Sequence, residues 1–312
     1  MVRERRFAGE RRAKAWAPGH VTGIFSPQPE AHDPRARGST GAGLVLGAGV
    51  VAEILWNPGG RRRLQLSGNG ASTFPISREV ALRLWTPREG TLTVRLHHDL
   101  PIGQGFGMSA AGALATALGV ASVLRVPRDR AIQTAHLADL FGGGGLGGVA
   151  AILGGGLEVR RRPGIPPFGT ILHRLLSKTV FVGVTGDPLP SPRLLRSESF
   201  LERVKMAARP GLDRMLRDPR WNAFLEESER FTDRLRLFPP RLGRLMGALR
   251  TGGCPTAQAM FGRSFFTAPV DAKARKLLLG EAHRRSVWIR PIPLARSGAE
   301  SHLVRLPRLS AE

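Results

Sequence analysis

LPIGQGFGMSAAGALATALGVASVL, residues 100–124, decides how the chain is read. Pro101 and three closely spaced glycines, Gly103, Gly105 and Gly107, open it. Ser109 then leads into an alanine-rich segment with apolar positions at helical spacing. A strand-like run, Thr91 to Leu96, comes just before. A strand, a glycine loop and a serine at a helix start turn backbone N–H groups and the positive end of a helix dipole toward one point. Such a point favours an anion, most often a phosphate. An ordinary strand-to-helix turn seldom needs three glycines at this spacing. Ser109 also suits a helix N-cap, which is compatible with a ligand role.

The bulk properties bound the rest. At 312 residues the chain has room for two ordinary domains or one large one. Its hydrophobic fraction of 42% fits a globular protein with a real core, and no apolar run reaches the roughly 20 residues of a membrane span. The basic start, Met1 to Trp16, has no apolar stretch of the secretory kind and reads as a frayed or extended segment. A single cysteine, Cys254, excludes an internal disulfide and a zinc site of its own, so the cytoplasm is the default compartment. Cys254 reads as a small buried hydrophobe rather than a nucleophile.

The net charge of +23 raises nucleic acid as a partner. Against it, the charge is nearly all arginine, spread in groups such as Arg61-Arg62-Arg63 and Arg160-Arg161-Arg162, with no interleaved aromatics. Steering of an anionic substrate is a milder use of the same field.

Along the chain, Ala17 to Pro27 reads as a strand, and a small-residue loop, Ser39 to Gly43, feeds an apolar strand from Leu44 to Ile54. Arg63 to Leu66 suggests a short strand and Ser77 to Leu84 a short helix. Arg128 to Asp139 reads as a helix that puts His136 and Asp139 on one face. Nine of the 39 glycines fall between Gly142 and Gly156, where the backbone must bend sharply or approach something closely. A helical turn from Val149 to Leu153 and a strand from Gly156 to Arg160 follow. Pro163 to Pro167 is the candidate linker. Beyond it, strands are expected at Thr179–Val184, Ser264–Ala268 and Val287–Ile292. Helices are expected over Arg193–Phe200, Leu201–Ala208, Trp221–Leu235, Pro240–Leu249 and Asp271–Ser286. The order suggests an α+β second domain of split βαβ type.

Residues 101–111, PIGQGFGMSAA, resemble the phosphate loop of the GHMP small-molecule kinases, and most closely their archaeal-type pantoate kinase branch. Ala17–Gly23 (APGHVTG), Asp33–Gly43 (DPRARGSTGAG), Ala135–Asp139 (AHLAD), Gly145–Gly148 (GLGG), Gly154–Gly164 and Thr256–Phe265 (TAQAMFGRSF) agree with that branch in order and spacing. The resemblance runs from Ala15 to about Ile292. It implies a two-domain α+β GHMP kinase fold. An N-terminal nucleotide-binding domain would span residues 1–165, and a C-terminal ferredoxin-like, split βαβ domain residues 166–312. The implied reaction is transfer of a phosphoryl group from ATP, with Mg²⁺, to the 4-hydroxyl of pantoate, a step toward coenzyme A; a homodimer is also implied.

The resemblance carries over residue by residue. Pro101, Gly103, Gln104, Gly105 and Phe106, then Gly107, Met108, Ser109 and Ala110, match the ATP loop. Ser109 and Asp139 match metal-holding positions, with Asp139 one methylene shorter than the usual glutamate; one carboxylate with phosphates and waters suffices for Mg²⁺. Arg160 matches an arginine near the transferring group, able to clamp a carboxylate or the γ-phosphoryl group. His20, Ser39, His136 and Arg160 match the substrate site. Asp139 and Arg160 are thus the catalytic candidates.

One position departs from the pattern. The segment after the AHLAD helix ordinarily carries an aspartate, and here Gly148 stands in its place. Phosphoryl transfer relies mainly on positioning and electrostatics, so loss of this acid need not abolish it. A slowed enzyme, or a protein that binds nucleotide or pantoate without catalysis, is the alternative that Gly148 leaves open. Asp99 and Glu158 are the acids nearby in sequence that would compensate.

Overall fold

In the computed structural model, which describes residues 9–85, 89–188 and 197–304, two long strands carry the first sheet. β1 (Arg11–Gln28) and β2 (Gly38–Asn57) run antiparallel over nearly their whole length. The basic segment expected to be frayed is therefore a paired strand from Arg11 onward. The loop expected at Ser39 to Gly43 is the start of β2.

β2 changes partner along its length. Val50 to Asn57 pairs with β4 (Thr91–His98), whereas Gly41 to Leu44 pairs with β5 (Leu157–Arg162). β3 (Arg63–Gly68) lies parallel to β4, so a crossover is needed, and α1 (Pro75–Leu84) supplies it. β6 (Thr170–Arg174) pairs with β5.

α2 (Met108–Leu124) lies against this sheet. Fifteen of its 17 residues are buried, because Ala, Gly, Leu and Val cover its whole circumference. Each fully buried side chain such as Leu114 contributes roughly 1.5–3 kcal/mol relative to leaving it in water. Gly119 lets the helix seat on the sheet: a Cβ there would stand 2.5 Å from Ile54 Cγ1. α3 (Arg128–Phe141) and the short α4 (Gly148–Ala151) complete this side.

The second sheet is antiparallel, in the order β10–β7–β9–β8. β7 (Thr179–Val184) leads through α5 (Glu198–Arg217), α6 (Trp221–Leu235) and α7 (Pro240–Thr251) to β8 (Thr256–Gln258) and β9 (Ser264–Thr267). α8 (Ala272–Arg284) then leads to β10 (Trp288–Pro293). The first strand of this unit lies between its fourth and third, the split βαβ arrangement expected from the sequence. Of the two helices expected over 193–208, residues 193–196 lie outside the described residues; the rest is one helix, α5. The three-residue β8 was not anticipated.

The division expected at residue 165 falls inside the β5–β6 hairpin. The proline-rich stretch taken for a linker is that hairpin's turn, and the first sheet continues through Arg174. A final strand, β11 (Glu300–Val304), returns to pair with β1, so the first sheet also takes in the end of the described chain. Among the described residues no helix is long and apolar enough to cross a membrane.

Candidate active site

The loop ahead of α2 has the geometry its glycines promise. Gly103, Gly105 and Gly107 take φ of +77°, +74° and +69°, which L side chains rarely adopt. Gly107 is the N-cap of α2 and no side chain caps the helix, so its first N–H groups are left without a side-chain partner. The C-terminal half of the chain buttresses the loop from behind. A Cβ at Gly105 would stand 2.7 Å from the Ala259 carbonyl oxygen. Ser264 Oγ donates to the Gln104 carbonyl, and Gln104 Nε2 donates to the Gly186 carbonyl at 2.7 Å.

A cavity of about 150 Å³ opens in front of this loop. Ser109 and Asp139 meet on one side of it: the Ser109 hydroxyl donates to Asp139 Oδ1 at 2.6 Å. Asp139 is 3% exposed, and burial pushes its carboxyl up to about 6 despite the Ser109 hydrogen bond. The glycines after α3 make room for the pair, since a Cβ at Gly144 would overlap both side chains. A hydroxyl and a carboxylate are hard oxygen donors, and beside a backbone cradle for phosphates they suit Mg²⁺. Among the described residues no cluster of three or more His, Cys, Asp or Glu forms an all-protein metal site, so such an ion would lean on phosphate oxygens and water as well.

The opposite wall is a row of side chains on three adjacent strands. Residues two apart on a strand share a face. His20 and Thr22 on β1 and Glu158 and Arg160 on β5 therefore point the same way, with β2 between them. On β2 the intervening positions are Gly41 and Gly43, which pair with Arg160 and Glu158. A Cβ at Gly43 would overlap the His20 imidazole, and one at Gly41 the Arg160 guanidinium. Glycine on the middle strand thus lets β1 and β5 side chains meet. His20 Nε2 lies 2.9 Å from Glu158 Oε1, and Arg160 Nη1 donates to the same oxygen. His20, Glu158 and Arg160 are all buried.

Burial works to raise the Glu158 pKa, but the Arg160 charge and the His20 hydrogen bond outweigh it and hold the carboxylate ionised. Burial pushes the His20 ring below its usual pKa, and Glu158 opposes this only in part. Ser39 is buried at the start of β2 and lines the cavity; a Cβ at Gly147 would come within 2.8 Å of Ser39 Oγ and 3.2 Å of Arg160 Nε.

Most residues expected at the site converge here: Gly103, Gly105, Phe106, Gly107, Met108, Ser109, Ala110, His20, Ser39, Asp139 and Arg160 all line the cavity. Pro101 and Gln104 do not line it; Gln104 ties the loop to Gly186 and Ser264. His136 does not line it. It packs beneath the Pro34–Ala36 turn with Nε2 3.4 Å from the Pro34 carbonyl, and burial lowers its pKa. Asp99 is also elsewhere, accepting the Gly49 N–H at 2.8 Å. The role of Glu158 in joining His20 to Arg160 was missed by sequence reasoning; the alternate glycines at 41 and 43 were its only trace. Cys254 is buried, its thiol pushed up to about 11 by burial, as befits a core residue.

Gly148 opens α4, and a Cβ there would lie 2.7 Å from Ala110 Cβ and 3.7 Å from Asp139 Oδ2. An aspartate is crowded at this position and would set a second carboxylate beside Asp139. Gly148→Asp is expected to lower stability by about 1–3 kcal/mol, the usual cost of overpacking. A thermal melt unchanged from the parent would contradict this.

Comparison with known proteins follows the same lines. Residues 76–156 match the family model described as "GHMP kinases N terminal domain". A pantoate kinase of Thermococcus kodakarensis is 30% identical over 84% of this chain and 89% of its own. A pantoate kinase of Methanospirillum hungatei is 24% identical over 88% and 94%. A solved structure described as a phosphotransferase related to the CoA biosynthesis pathway superposes with a TM-score of 0.84 at 26% identity, covering 93% of this chain and 98% of that one. With a glycine loop, a Ser–Asp pair and Arg160 in one cavity, and relatives matched over most of their length, the chain belongs to the pantoate kinase family of the GHMP kinases.

Proposed function

We propose that the protein transfers the γ-phosphoryl group of ATP to the 4-hydroxyl of pantoate, with Mg²⁺ as the metal. One observation carries this reading. The Ser109–Asp139 pair, at the start of α2 and behind three positive-φ glycines, shares a cavity with Ser39 and Arg160.

The roles follow from the chemistry of each group. Backbone N–H groups of the glycine loop and the start of α2 hold the phosphates. Ser109 Oγ and the Asp139 carboxylate would hold Mg²⁺, which would supply positive charge to offset that of the phosphates. Arg160 faces the cavity with a guanidinium anchored at one end by Glu158. Its Nε is buried and has no partner, leaving a donor for the pantoate carboxylate or the γ-phosphoryl oxygens. Ser39 supplies a further hydrogen bond to the substrate. Phe25, Met260 and Phe261 make the remaining wall apolar, which limits water around the transferring group.

The test is ADP release with pantoate, pantothenate, mevalonate and homoserine offered side by side. Turnover with pantoate and background rates with the others is the expected result. Turnover with another of these alcohols and none with pantoate would overturn the assignment.

A further inference from the structure

We infer that His20 accepts the proton of the attacking substrate hydroxyl, in the tautomer fixed by Glu158, and so supplies the base absent at Gly148. The inference rests on the kinase reading above.

Two carboxylates lie near the site, Asp139 on the cavity wall and Glu158 buried behind it, and neither is placed to act as that base. Asp139 Oδ1 is taken up by the Ser109 hydroxyl. Glu158 is fully buried behind His20 and Arg160, with Oε1 shared between them. His20 stands in front of it and lines the cavity. Its backbone N–H donates to the Phe106 carbonyl at 3.0 Å, and a Cβ at Gly107 would lie 3.0 Å from His20 Cβ, so the residue is clamped against the phosphate loop itself.

The hydrogen bonds decide the tautomer. Glu158 is ionised and accepts only, so His20 Nε2 carries the proton at that 2.9 Å contact. Nδ1 then keeps its lone pair. Nδ1 lies at a loose 3.5 Å from Thr22 Oγ1, and Thr22 also lines the cavity. A neutral imidazole, oriented through one nitrogen by a buried carboxylate and only loosely engaged at the other, is the arrangement of a general base. Burial keeps the ring neutral at some cost in basicity, which the Glu158 hydrogen bond offsets in part.

In the step, the substrate O–H proton moves to His20 Nδ1 as the hydroxyl oxygen bonds to the γ-phosphorus. The bond from that phosphorus to the β,γ-bridging oxygen breaks, and ADP leaves with the electron pair. The resulting imidazolium is paired with the Glu158 carboxylate until the proton returns to water. Glu158 acts through His20 and Arg160 and is a positioning residue.

His20→Gln is expected to lower kcat by about 10²–10⁴-fold, the range of general-base assistance, with KM for ATP and pantoate changed only a few-fold. In His20→Ala, added imidazole should restore part of kcat. Nitrogen-15 spectra of histidine-labelled wild type should show a pyrrole-like Nε2 and a pyridine-like Nδ1 for His20, with the pattern lost in Glu158→Gln. Unchanged kcat with a raised pantoate KM in His20→Gln would make His20 a contact residue and overturn the inference, as would a protonated Nδ1 in the spectrum. Wild type inactive on every alcohol would instead overturn the kinase reading.

Discussion

Asp139→Asn is expected to lower kcat by about 10²-fold or more and, in metal-free protein, to raise the thermal midpoint at neutral pH. The two effects have one cause. A bound metal ion contributes several kcal/mol to transition-state charge stabilisation, each 1.36 kcal/mol is a factor of ten in rate, and Asp139 is the carboxylate proposed to hold that ion. The same carboxylate is buried against Ser109, with its pKa raised from 3.8 to about 6. The folded state then holds this proton more tightly than the unfolded state. The group's contribution is most favourable below about pH 4, falls as pH rises through about 6, and stays unfavourable at neutral pH. The shift corresponds to a cost of roughly 3 kcal/mol at most. Asparagine keeps an acceptor for the Ser109 hydroxyl and cannot ionise, so the variant should lose this pH slope. Melts of metal-free wild type and variant between pH 4 and 8 read the slope, and steady-state kinetics with Mg²⁺ read the rate. A variant both destabilised at pH 7 and fully active would contradict the placement of Asp139.

Gly105→Ala is the second large effect. Two costs meet at this residue: a φ of +74° and an added Cβ 2.7 Å from the Ala259 carbonyl oxygen. The backbone cost alone is about 1–2 kcal/mol. The collision adds a displacement of the loop away from the 259–262 segment, and misplacement by about 1 Å can cost about 10²-fold in rate. Gly60→Ala is the matched control, since Gly60 has the same φ of +74° with nothing within 4 Å of its Cβ position. Both variants should lose some stability, but only Gly105→Ala should lose about 10²-fold in kcat/KM for ATP. Equal kinetics in the two would show that packing of the loop on Ala259 and Met260 does not set its position.

Local signals made much of this molecule legible before its structure. The helical period of Trp221–Leu235 gives α6 with its bounds unchanged, because a strongly amphipathic segment needs only one partner face. The glycine loop and α2 were legible because both are built from neighbours in sequence. Ser109 and Asp139, both singled out from the sequence, are 30 residues apart and meet because α2 and α3 pack side by side.

What failed was long-range or short in length. β8 has three residues, too few for a period. β11 is mostly exposed and is placed by pairing with β1, nearly 300 residues earlier, and by packing on α2. β6 is polar enough to look like the far side of a linker, and only its pairing with β5 assigns it to the first sheet. His20 and Glu158 are 138 residues apart and touch because β2 places a glycine between them, a relation no local pattern carries. His136 matches a substrate position by spacing, while its ring is buried beneath the Pro34–Ala36 turn.

The central claim is that this cavity joins the γ-phosphoryl group of ATP to the primary hydroxyl of pantoate. Proton–phosphorus correlation on the product of a wild-type reaction with ATP, Mg²⁺ and pantoate tests it most directly. A new phosphoester whose phosphorus couples to the C4 methylene protons is the predicted result. Coupling to the C2 methine proton, or inorganic phosphate as the sole phosphorus product beside ADP, would contradict it.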